Sequence, residues 1–183
     1  MKLIIEQRTG IPSILYKDGG TQIIFEEFSK AINLALAKIK SDLEGKLPQG
    51  VSGNLKKSLT IDFAKSQRRG KLVYGRMYHR GYGKRYAGVV EFGRTPGRTR
   101  PPKGALVKWL MSKGLSEKEA RRKDYPVRKK IGEKGVEGRL IWARNMRLYK
   151  QMAEKEMGIA MRNFVRRIGM YSKGRRRLAR LGL

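Results

Sequence analysis

Between Phe25 and Leu43 the apolar residues Phe25, Phe28, Ile32, Leu36, Ile39 and Leu43 recur three and four positions apart, one continuous stripe at the period of an α-helix. The stripe predicts a helix from Thr21, whose hydroxyl can cap it, to about Glu44, with Gly45 and Pro48 ending it. Leu59, Ile61 and Phe63 then alternate with Thr60 and Asp62, the two-residue period of a half-buried strand. Leu72 to Tyr78 reads as a second strand after a turn at Arg68-Arg69-Gly70, so the pair forms a hairpin with basic residues at its tip. Ahead of the helix, Leu3-Ile4-Ile5 is β-prone, and turn residues follow at Gly10, Pro12 and Asp18-Gly19-Gly20. Tyr86 to Phe92 is too short for periodicity to choose between a strand and a helical turn.

Beyond this the chain reads as helices with interruptions. Gly93 to Gly104 holds three prolines and four basic residues, a long loop. A short helix at Ala105 to Lys113 places Leu106, Trp109 and Leu110 inward, and Gly114 can stop it. Ser116 and Glu119 have capping-box spacing, and Pro126 should break or kink the helix they start. Gly135 and Gly138 form a joint before a long helix from about Ile141 to Ile168. Trp142, Met146, Tyr149, Met152, Met157, Met161, Phe164 and Ile168 lie roughly on one side of it. It is long for so small a core, and its far end, followed by Arg175-Arg176-Arg177, is expected to reach beyond the subunit. The layout is an arm or edge strand (1–20), an α+β core (21–140), the long helix (141–171) and a basic arm (172–183) expected to be disordered alone.

The charge is one-sided: 44 Lys and Arg against 15 Asp and Glu, a formal +29 over 183 residues. Residues 1–63 are nearly neutral, with 9 basic and 7 acidic side chains, whereas residues 64–103 carry 12 basic side chains and the single acid Glu91. Such a field implies an anionic partner. The absence of cysteine excludes disulfides and thiolate-held metals, and the single His79 excludes multi-histidine zinc sites. No apolar run reaches the ~20 residues of a membrane helix, and no cofactor is expected. Gly81-Tyr82-Gly83-Lys84 is followed by Arg85 where a phosphate-binding loop needs a hydroxyl. Asp62 and Glu91 are the carboxylates that a magnesium nuclease would use, but a third ligand is not evident. The plainer reading is that Glu91 ion-pairs with a nearby cation to fix the loop.

Tyr86-Ala87-Gly88-Val89-Val90-Glu91-Phe92-Gly93-Arg94 resembles a motif of the phage tail-completion and minor tail-component proteins of the gp-ten-like family from long-tailed phages. The Pro/Gly-rich loop after it, the tryptophan-bearing segment Ala105 to Leu110 and Arg128 to Val136 follow in that family's order, and Ser52-Gly53-Asn54-Leu55-Lys56-Lys57-Ser58-Leu59 is similar to its approach to the first strand. The likeness spans roughly Phe25 to Gly138. Pro126 and the extension beyond Gly138 depart from the family pattern.

The resemblance implies a tail-terminator-like α+β fold, a small antiparallel sheet flanked by helices. It implies a structural virion protein of the phage neck rather than an enzyme, made in the host cytoplasm and assembled as a homo-oligomeric, hexameric ring. Expected partners are adjoining head–tail connector or stopper proteins, tail terminator or tail tube proteins, and duplex DNA in transit. Arg94, Arg98, Arg100, Lys103, Trp142, Met146 and Met152 are expected at subunit or partner contacts. Tyr86, Glu91, Phe92, Gly93 and Trp109 carry the structural motif. Lys173, Arg175, Arg176, Arg177 and Arg180 form an arm that would order on an acidic neighbour. Composition alone favours the alternative, a basic nucleic-acid-binding protein of ribosomal type.

Overall fold

In a computed structural model, which describes residues 2–8, 20–48, 53–67 and 72–180, Val73, Gly75, Met77 and His79 are buried and alternate with half-buried Tyr74, Arg76 and Tyr78. This alternation belongs to β3 (Leu72–His79), the central strand of an antiparallel sheet ordered β1-β3-β2, with β1 (Lys2–Arg8) and β2 (Leu59–Gln67) at the edges. β1 pairs with β3 from Lys2↔Tyr78 to Arg8↔Leu72. The turns expected at residues 10–19 and 68–70 lie outside the described residues.

The chain divides into two compact units, where the sequence suggested one core with appendages. Residues 2–43, 61–78 and 145–183 form one unit, and residues 44–60 and 79–144 the other.

In the first unit, α1 (Gly20–Lys46) lies against the sheet at Gly75. A side chain there would meet Ile32 and Leu36, both under 3 Å from the position of a Cβ. The buried stripe of α1 is the expected one, except that Ile24 replaces the half-buried Phe25. Thr21 does not cap this helix, which already includes Gly20, and Gly45 does not stop it. A glycine inside a helix costs only about 1 kcal/mol, which neighbouring packing overrides. In β2 the predicted inward residue Phe63 is 69% exposed. Asp62, beside it, accepts from Arg76 and Tyr78, while the Asn33 side chain accepts from the Ala64 N–H at 2.8 Å.

The long helix α6 (Ile141–Arg180) runs antiparallel to α1, because its partners fall in reverse order. Tyr149 donates to Asp42 at 3.1 Å, Lys38 to Glu156 at 2.6 Å, and Arg167 to Glu27 at 2.6 Å. Tyr149, Ala160 and Phe164 are buried, so this part of α6 is core. The segment expected to be a disordered arm is helical to Arg180. Arg, Lys, Leu and Ala are strong helix formers, and an existing helix extends without a new nucleation cost.

The second unit is helical. Residues 86–92, left open by periodicity, belong to α3 (Gly81–Phe92). A single turn, α2 (Asn54–Lys57), precedes β2, and a short α4 (Val107–Met111) follows the long loop. Leu110 is buried as expected, but Trp109 is largely exposed. α5 (Glu117–Lys134) opens with the capping box: the Ser116 hydroxyl accepts from the Glu119 N–H, and the Glu119 carboxylate accepts from the Ser116 N–H. It continues through Pro126 without ending. The carbonyl of Arg122 that proline leaves without its helical donor belongs to an exposed residue, where water can satisfy it.

Candidate functional site

The motif around Glu91 divides between two faces of α3. Gly83, Ala87 and Glu91, four positions apart, are buried, whereas Tyr86 (53% exposed), Val89 and Phe92 (70% exposed), three apart, face solvent. Gly83 lies so close to Ser58 that any side chain at this position would clash.

Glu91 does not form the expected ion pair. Its two oxygens accept from the backbone N–H groups of Trp142 (3.0 Å) and Ala143 (2.9 Å). Both N–H groups lie in the first turn of α6, where no intrahelical acceptor exists and the helix dipole favours an anion. The carboxylate therefore caps α6 from a distance of 51 residues in sequence.

Around it the chain is tightly joined. Arg94 and Val136 exchange both backbone hydrogen bonds, at 2.7 and 2.9 Å. Gly93 (φ 76°) and Gly135 (φ 72°) flank this bridge, and a Cβ on either would lie within 2.3 Å of a carbonyl oxygen of the opposing strand. Only glycine meets both demands.

The long loop from Arg94 onward is anchored on its own α5. Gly97 N–H donates to the Gly132 carbonyl at 2.8 Å. Asp124, buried within α5, accepts from the N–H groups of Gly104 (3.0 Å) and Leu106 (3.3 Å) and from Arg128 (2.8 Å). Burial pushes the Asp124 carboxyl up, but the Gly104, Arg128 and Leu106 donors outweigh it and hold the group below its ordinary value. Arg128 also donates to the Pro101 carbonyl at 3.1 Å, and Arg100 donates to the Tyr125 hydroxyl at 3.3 Å. The side chains of Arg98 and Lys103 are exposed, and Arg94 is half-buried.

The other expected contact residues separate. Trp142 is 2% exposed, packed edge-on to His79 at 6.4 Å between ring centroids, and offers no surface to a neighbour. Met152 is half-buried. Met146 lines a groove of about 480 Å³ between β1 and α6, together with Ile4, Tyr149 and Met157.

His79 has a nucleophile-bearing neighbour that the sequence did not reveal, Ser58, 2.8 Å from its Nδ1. The polarity is wrong for catalysis. Ser58 donates its single proton to the Leu55 carbonyl (2.7 Å), so His79 Nδ1–H donates to the serine oxygen instead of withdrawing its proton. Burial lowers the His79 pKa, and its Nε2 is buried without a hydrogen-bond partner. The nuclease pair fares no better, since Glu91 is committed to the α6 cap and Asp62 to Arg76 and Tyr78. Among the described residues no group of three or more His, Asp or Glu side chains could hold a metal ion.

Sequence reasoning missed Asp124. Its only signal was an acid inside a cationic run, four positions before Arg128. The described residues define an α+β protein with a small antiparallel sheet, flanking helices and one long C-terminal helix. No family model, curated protein or solved structure matches the chain. None of its described helices is long and apolar enough to cross a membrane.

Proposed function

We propose that this chain is a structural, non-enzymatic subunit of a homo-oligomeric ring in the neck of a long-tailed phage. It completes the tail, joins it to the head and leaves a passage for duplex DNA. Its partners are copies of itself around the ring, connector or stopper proteins and tail terminator or tail tube proteins at the two ends, and duplex DNA in the passage.

The observation that carries this reading is the division of α3. The motif that resembles the tail-completion family uses Ala87 and Glu91 to build the fold and turns Tyr86, Val89 and Phe92 outward. Two aromatic side chains exposed on one helix face are what a subunit contact requires, and a monomer gains nothing from them.

The test is the mass of the full chain in solution, measured by light scattering, beside a Tyr86→Ser/Phe92→Ser variant. The wild type should form a ring of six, and the variant should remain a folded monomer. A monomeric wild type would overturn the ring, and an unchanged ring in the variant would remove α3 from the contact.

A further inference from the structure

The outward side of α6 carries a row of cations. Arg147, Gln151, Lys155, Gly158, Arg162 and Arg166 are spaced four, four, three, four and four apart, which places them on one face of the helix. The four charged residues among them are exposed, and buried Tyr149, Ala160 and Phe164 fix the opposite side. α6 has only two acids, and both are paired: Glu154, at the edge of this face, with Lys150, and buried Glu156 with Lys38. Among the described residues Arg147, Lys155, Arg162 and Arg166 have no ion-pair partner.

A second observation concerns glycine. Gly158 and Gly169 stand on this same face, inside the helix, where each costs about 1 kcal/mol relative to alanine. No packing demands them: a Cβ at Gly169 would meet nothing within 4 Å, and one at Gly158 only the flexible end of Arg162. Glycines that no neighbour requires, set between cations, allow a partner's backbone to approach the helix closely.

We propose that this face of α6 binds the sugar–phosphate backbone of duplex DNA. The charges extend over about 28 Å from Arg147 to Arg166 at ~1.5 Å per residue, a length over which duplex DNA presents about 16 phosphate charges at one per ~1.7 Å. Arginine, the better bidentate phosphate donor, supplies three of the four described charges. The exposed apolar neighbours Leu148, Ile159 and Val165 are aliphatic and offer no aromatic anchor for a protein partner. The face also lacks an aromatic ring on which single-stranded bases could stack. The B-form major groove admits an α-helix, whereas the deep, narrow groove of A-form RNA does not. This assignment rests on α6 alone and does not require the ring.

The experiment measures binding of the full chain to a 30-base-pair DNA duplex, at about 100 Å longer than the charged face, by fluorescence anisotropy across salt concentrations. A variant carrying R147Q, K155Q, R162Q and R166Q should bind at least about tenfold more weakly, with the salt slope reduced by about 0.9 per lost contact, about 3.6 in total. A second variant with the same charge change on α5, carrying K118Q, R122Q, K130Q and K134Q, should lose much less. Gly158→Leu should raise the melting temperature and still weaken binding, a combination that a structural role for Gly158 would not produce. Equal losses in the two charge variants would mean a diffuse field and overturn the site. Poly-glutamate or duplex RNA binding as tightly as DNA through the same four residues would assign the face to another partner and equally overturn it.

Discussion

Glu91 stands alone among twelve cations in its segment and bonds to the backbone of a distant helix instead. Removing its carboxylate leaves two N–H groups without an acceptor, at about 1–3 kcal/mol each where they are buried. Glu91→Ala should therefore destabilise the chain by about 3 kcal/mol, and Glu91→Gln by less, as read from urea unfolding. The charge count made Glu91 conspicuous, but nothing within several residues of it could name a partner 51 positions away. His79 provides a pH test. Its folded-state pKa lies below the ordinary 6.5 because of burial, so the unfolded chain takes up the proton first. The His79 contribution should be constant above about pH 6.5 and should fall as the pH drops below it. Melting temperatures between pH 7.5 and 5.5 check this, and His79→Gln should remove that part of the slope.

Local signals proved legible, whereas faces without apolar residues did not. The capping box at Ser116 is local, so the sequence located it, whereas α3 escaped because its buried face consists of Gly83, Ala87 and Glu91. A count of apolar residues cannot see a face made of glycine, alanine and glutamate. Pro126 misled for the opposite reason. Its local penalty is real, but the contacts of Asp124 and Arg128 with the long loop hold α5 together across it. Pro126→Ala should therefore stabilise the protein, by at most about 3 kcal/mol, and thermal unfolding measures the gain. Gly135→Ala should do the reverse. Its backbone strain alone costs about 1–3 kcal/mol, and the clash with the Arg94 carbonyl adds to that.

Neither compact unit is a continuous piece of chain, which is why boundaries drawn along the sequence did not find them. Periodicity identifies a helix with an apolar side but not what covers it. The stripe of α1 could be read directly, while the ties to Glu156 and Arg167 could not. Truncation after Gly138 removes Tyr149, Ala160 and Phe164 from the core, so the shortened chain should lose its cooperative thermal transition. Retention of that transition would make α6 an appendage after all.

The same discontinuity sets a timetable for synthesis. Lys38 meets Glu156 118 residues later, and Glu27 meets Arg167 140 residues later. At ~5–20 residues per second a ribosome needs roughly 7–28 s to cover that interval. During it Phe28, Ile32, Leu36 and Ile39 have only part of their final cover. The first helix made is thus among the last to be enclosed, and any product that stops short of α6 leaves the ribosome with that stripe still open to whatever apolar surface it meets.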